Sequence, residues 1–255
     1  YSANNMKFVI NSSYPLDRLE NIVRKNYSSV PNKSINYINE IKPSLSCPLA
    51  FPYNYDMNRL NNCSVKKRRL GNTLKFIEIL PIKKEHMLII YWEILFANKN
   101  YKYGIKNILS YCLGHEGPGS IFHNLQQQNL ASYLQAGVEE QGMFHCYFGI
   151  MIGLTDKGFK YRHQVLAIIH KYIDMMRKES LSKSIYNDYK RIAELKFNFR
   201  SKRDEASYVT DISKNMFYYD KEDIISEDEL MNNYDDTAKR LYDKYMLLMQ
   251  PETSI

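Results

Sequence analysis

The chain has 255 residues, 44% of them hydrophobic and 25% charged, with a formal net charge of +7. It is long enough to bury a core without disulfides or metals. No run approaches the ~18 uncharged apolar residues of a membrane-crossing helix, and the start carries no basic-then-apolar signal pattern. The positive charge is dispersed except at Lys66-Lys67-Arg68-Arg69, which reads as a solvated linker and not as a nucleic-acid patch.

Met6 to Ile10 is a short strand candidate. Pro15 suits a first helical turn, and Leu16, Leu19, Val23 and Tyr27 follow at helical spacing. Residues 33–62 have little periodicity, and Pro31, Pro43, Pro48 and Pro52 lie near or within them, so they read as an extended connection and a domain boundary. Order returns with Leu74, Phe76 and Leu80, then with Leu88, Ile90, Trp92, Ile94 and Phe96; the two runs read as neighbouring antiparallel strands. A helix carries Ile105, Ile108, Leu109 and Cys112 into Gly114-His115-Glu116-Gly117-Pro118-Gly119-Ser120. Ser120 is placed to cap a second helix bearing Ile121 and Leu125.

Leu130 to Val138 is the next strand, and Met143 to Leu154 is the clearest in the chain: Phe144, Cys146, Phe148, Ile150, Ile152 and Leu154 are all apolar, so one face is buried. Thr155-Asp156 then opens a long helix with Val165, Ile168, Ile169, Tyr172 and Met176 inward. A further helix is drawn through Ile185, Tyr189, Ile192, Leu195 and Phe199, and another through Ile212, Met216 and Tyr219. Ser226 and Glu229 have capping-box spacing, Ala238, Leu241, Tyr242 and Tyr245 mark the last helix, and Pro251-Glu252 makes a turn. Strand pairs alternating with helix pairs predict an α+β fold, a mainly antiparallel sheet with helices packed on one face.

The residues alone show no complete catalytic set. Zinc peptidases need two imidazoles one helical turn apart and a carboxylate base, and neither H-E-x-x-H nor its inversion is present. The nearest string, Ile82-Lys83-Lys84-Glu85-His86, has isoleucine where the first histidine belongs. His115-Glu116 finds Gly119 four residues on, and His163 and His170 stand seven apart. Cys47, Cys63, Cys112 and Cys146 form no C-x-x-C and suit buried thiols in a reducing compartment, hence the cytoplasm. The Gly-Pro-Gly segment either ends one helix and starts the next or leaves backbone open to a ligand or peptide strand.

Tyr111 to Ser120 closely resembles a segment of the M16 zinc metallopeptidases, the insulin-degrading enzyme and pitrilysin-like family. Ile150 to Gly158, Phe197 to Lys202, Tyr218-Tyr219 and Tyr1 to Met6 resemble further runs of that family, collinearly over nearly the whole chain and most weakly at 33–69. The resemblance implies four homologous α+β domains in two halves closing around a peptide, with zinc held by the first domain. Residues 1–45 then resemble the strand-helix tail of that first domain, 46–65 a linker, and 66–255 the second, non-zinc, substrate-binding domain before its last strand. It implies a peptide-anchoring exosite at Gly114, Glu116, Leu134 and Ala136, with Ala136 standing for a glycine and Val138 for a glutamine.

The expected function is the substrate-binding portion of an insulinase-like zinc metalloendopeptidase, or alternatively a non-catalytic partner subunit. The expected partners are peptide substrate and the remaining domains of the polypeptide, not nucleic acid or membrane. The zinc ligands are expected outside these residues, and the isolated chain is expected neither to bind catalytic zinc nor to cleave peptides.

Overall fold

The computed structural model describes residues 2–35, 77–80, 82, 85–94, 100–141, 146–227 and 229–254. The expectations for Lys66 to Arg69, Leu74, Phe76, Phe96, Phe144, Cys47, Cys63 and the 46–65 linker lie outside the described residues. In chain order the elements are α1 (Leu16–Tyr27), β1 (Met87–Glu93), α2 (Ile105–Leu113), α3 (Ile121–Gln127), β2 (Ala131–Gln141) and β3 (Cys146–Leu154). They continue with α4 (Asp156–Lys160), α5 (Arg162–Glu179), α6 (Lys183–Asn198), α7 (Glu205–Asn215) and α8 (Asp236–Leu248). The chain divides into two compact units, Tyr1–Ser46 with Ala193–Leu230 and Cys47–Ile192 with Met231–Ile255.

In the first unit, the carbonyl of Pro15 accepts from the amides of Arg18 and Leu19, both at 3.1 Å, and so starts α1. Met6 to Ile10 is not a strand, because no neighbouring strand among the described residues completes a ladder with it. Phe8 instead packs its ring on Tyr27, 4.7 Å between centroids. Asp204 caps α7 by accepting from the amide of Ser207, and the hydrogen bonds from Ser207 hold its carboxyl below the usual aspartate value. The capping-box reading of Ser226 and Glu229 fails. The amide of Glu229 closes a turn on the carbonyl of Ser226 at 3.0 Å, no helix starts there, and the Glu229 side chain is committed to an ion pair with Arg200.

The second unit holds a three-stranded antiparallel sheet in the order β1-β3-β2. Leu88, Ile90 and Trp92 share a buried face with Phe148, Ile150, Ile152 and Leu154, while Met87 and Ile89 on the opposite face are exposed. Strict alternation therefore does what it predicts: one face takes the helices and the other is left open. Each fully buried aliphatic side chain of this set contributes roughly 1.5–3 kcal/mol relative to exposure. The helices supply the covering layer through Ile108, Leu109 and Leu113 of α2, Leu125 of α3, Val165, Ile169 and Ile173 of α5, and Tyr245 and Met246 of α8.

Three further expectations change here. Ile77 to Leu80 is exposed coil, not a partner strand for β1. One edge of β1 is taken by β3, and the other forms, among the described residues, an antiparallel bridge from Trp92 to Ser254. The helix opened by Thr155 breaks at Tyr161 into α4 and α5, and Ile173, not Tyr172, takes the inward position. Gly158 explains the foothold of α4: a Cβ there would lie 1.9 Å from the carbonyl oxygen of Leu130. Finally, α6 buries Tyr189 as expected and Tyr186 beside it, while Ile185 is exposed; past Ile192 the helix belongs to the first unit, where Ala193 is buried and the expected Leu195 and Phe199 are exposed. Tyr186 can occupy the core because its hydroxyl donates to the carbonyl of Asn232 at 3.1 Å.

Candidate functional site

The Gly114 to Ser120 segment joins α2 to α3 by satisfying each helix end. The amide of Gly114 donates to the carbonyl of Ser110 at 2.9 Å, closing α2. The amide of Gly117 donates to His115 Nδ1 at 3.0 Å, and the His115 ring sits edge-on to Tyr111, 5.9 Å between centroids. This histidine is therefore committed to turning the loop. Gly119 adopts a left-handed φ of 86°, which a side chain would resist. Buried Ser120 then accepts from the amide of His123 at 3.1 Å and starts α3, as its position in the sequence predicts.

The same loop touches the edge of the sheet. A Cβ at Gly114 would lie 3.7 Å from both the backbone N and the backbone O of Ala136 in β2. One position on, a Cβ at Gly137 would lie 3.5 Å from Ser110 Oγ. The last turn of α2 thus lies within ordinary van der Waals reach of the Ala136-Gly137 backbone, and what demands a glycine at position 114 is its own helix end, where a Cβ would fall 2.8 Å from the carbonyl oxygen of Ser110. Strand β2 is terminal in the sheet, so its outer edge has no strand partner among the described residues. In an antiparallel strand every second residue turns its N–H and C=O to that side.

The four expected site residues are brought together unequally. Gly114 lies beside Ala136, near enough that a side chain at Gly114 would touch the Ala136 backbone. Leu134 is 6% exposed and pairs with Ile152, so only its backbone is accessible. Glu116 is exposed on the loop, and its carboxylate meets no ion-pair or hydrogen-bond partner among the described residues. Ala136 and Val138 are half-buried, on the same side as Leu134, and a register shift between Val138 and Glu140 bends the strand just beyond them.

Sequence reasoning missed the glycines on the other face of the sheet. A Cβ at Gly153 would fall 2.1 Å from the Tyr133 ring, and one at Gly149 would fall 2.9 Å from the Tyr91 ring. Both rings therefore lie over bare backbone of β3. The available signal was the i, i+4 glycine pair on the non-apolar parity of that strand.

The donor set does not fit a metal ion. Among the described residues no group of three or more His, Cys, Asp or Glu side chains is placed to hold one. Cys112 and Cys146 are free thiols; burial pushes Cys112 up to about 11 and raises Cys146 as well, which keeps both protonated. His170 of α5 is a perturbed imidazole. Burial lowers its pKa against the opposing pull of Asp174 and Glu252, with Arg177 adding to the depression. Its ring stands edge-on to Trp92 at 6.0 Å, with Nδ1 buried and unbonded among the described residues. No helix among the described residues is long and apolar enough to cross a membrane.

Comparison with known proteins gives this geometry its context. Residues 1–193 match the family described as "Peptidase M16 inactive domain", and residues 197–255 match "Middle or third domain of peptidase_M16". Nardilysin of Rattus norvegicus is 29% identical over 238 residues, 92% of this chain and 19% of that protein. Insulin-degrading enzyme of Drosophila melanogaster is 27% identical over 245 residues, 96% of this chain and 22% of that protein. The chain thus spans about a fifth of the length of the curated relatives it matches. The crystal structure of pitrilysin superposes with a TM-score of 0.75 at 20% identity, covering 96% of this chain and 24% of that one, which fixes the fold.

Proposed function

The chain belongs to the M16 peptidase family, and from that premise we propose that it is the substrate-binding portion of an insulinase-like zinc metalloendopeptidase. The peptide lies extended along the outer edge of β2, pairing main chain to main chain, which gives affinity with little demand on sequence. Its N-terminal ammonium meets the carboxylate of Glu116 in a charge-assisted hydrogen bond. Gly114 lies beside the Ala136 backbone, and Leu134 acts through its main chain while its side chain anchors the strand in the core.

One juxtaposition carries this reading: the loop residue Gly114 beside the backbone of Ala136 on a terminal strand, with the Glu116 carboxylate two residues along the loop, exposed and without a partner among the described residues. The relatives named insulin-degrading enzyme support a peptide as the substrate class. A zinc ion held by residues outside this chain would supply the Lewis acid for peptide-bond hydrolysis. The residues described here bind and orient, and the other partner is the rest of the same polypeptide. Two free thiols suit a reducing compartment, the cytoplasm.

The test uses the natural full-length polypeptide. It is expected to contain zinc, to cleave an unstructured peptide, and to lose about tenfold in peptide affinity on Glu116→Gln, the loss of one charge-assisted bond. Unchanged affinity in that variant would overturn the anchoring role. Binding through Glu116 with neither zinc nor cleavage would make the protein a non-catalytic partner subunit instead.

A further inference from the structure

The two faces that flank the β2 edge differ in chemistry. On one side Leu134 is buried, and Ala136 and Val138 follow it half-buried, so an apolar strip runs outward from the core. On the other side Gln135 and Glu139 are exposed and polar, and the exposed Tyr133 before them lays its ring over Gly153 of β3. A strand added to this edge points its side chains alternately to these two faces, each within reach of its cross-strand neighbours. A one-residue slip would exchange the faces for every side chain. The anchoring of a peptide N-terminus at Glu116 opposes such a slip.

We infer that the β2 edge selects extended peptides by the phase of their hydrophobic alternation, favouring apolar side chains on the face shared with Ala136 and Val138 and polar ones on the face shared with Gln135 and Glu139. This rests on the peptide-anchoring reading above. The register shift after Val138 marks where the strip ends, since a bulge bends the strand and re-aims the next residues. The selected feature is therefore a pattern across a few residues near the peptide's N-terminus, not one defined residue. Peptides of equal composition are distinguished by which alternate positions are apolar.

The experiment uses two isomeric peptides with free N-termini, one with leucine at odd and serine at even positions, the other with the reverse. Binding to the natural full-length polypeptide is read by fluorescence anisotropy. One isomer is expected to bind about tenfold more tightly, the size of effect given by two partly buried aliphatic side chains. Val138→Gln is expected to shrink that ratio toward one, and Val138→Thr, which keeps the branched shape, to reduce it while preserving the fold. Equal binding of the two isomers, with both still weakened by Glu116→Gln, would overturn the phase selection and leave the anchor standing. Equal binding that is also indifferent to Glu116→Gln would remove the anchor and the selection together.

Discussion

The two edges of the sheet in the second unit are treated differently. The outer edge of β1 is latched. Trp92, fully buried, donates from its indole nitrogen to the carbonyl of Gln250 at 3.0 Å and bridges to Ser254 through backbone. Arg177 holds the same turn from α5, donating to the carbonyls of Met246 at 3.2 Å and Met249 at 3.0 Å while pairing with Asp174. The outer edge of β2 has a glycine loop beside it and no strand beyond it among the described residues. An exposed strand edge invites pairing with another chain, and proteins commonly cover or charge it. The proposed capture of a peptide strand uses that open edge, with the Glu116 carboxylate beside it meeting no partner among the described residues.

The contrast can be broken first at the latched edge. Trp92→Ala is expected to cost about 4 kcal/mol in urea unfolding, the range for removing a large buried aromatic, and to free the 250–254 turn. A loss below about 1 kcal/mol would mean the latch contributes little. Gly158→Ala comes next, at about 3 kcal/mol, because the new methyl meets the Leu130 carbonyl at the root of β2 and neither backbone can yield without strain. That loss should appear as a lower unfolding midpoint with an unchanged slope. Ser120→Ala removes the cap that starts α3 and should cost about 1 kcal/mol, leaving the β1 latch intact.

The smallest effect belongs to His170. Its folded pKa lies below the ordinary imidazole value of 6.5, so the unfolded chain takes up the proton first as pH falls. Its contribution to stability is complete above pH 6.5, and it is lost as pH drops through the folded value. His170→Gln is expected to flatten that acid-side slope. An unchanged slope would assign it to other groups.

The legible parts of this structure are those where a local rule and the tertiary environment agree. The unbroken apolar alternation from Cys146 to Leu154 could only be a strand with one buried face, and Ser120 stood where a helix needed a cap. The overturned expectations are those where local pattern left two answers open. A helical stripe could be drawn through Ile185, Tyr189, Ile192, Leu195 and Phe199 as easily as through Tyr186, Tyr189 and Ala193, and only Tyr189 is common to both. The choice depended on a hydroxyl acceptor at Asn232, far along the chain. Ile77 to Leu80 had strand-forming residues but lie as exposed coil, and the described contact on the outer edge of β1 comes instead from Ser254, far along the chain. At the candidate site, the Gly114 motif was legible as a helix break. Its contact with Ala136, 22 residues away, required the fold.

Hydrogen–deuterium exchange on the natural full-length polypeptide, with and without a saturating peptide bearing a free N-terminus, tests the central claim most directly. Peptide pairing along β2 predicts slowed exchange at residues 134–138 and no change at the already latched β1. Unchanged exchange at 134–138, or equal slowing of both edges, would contradict it.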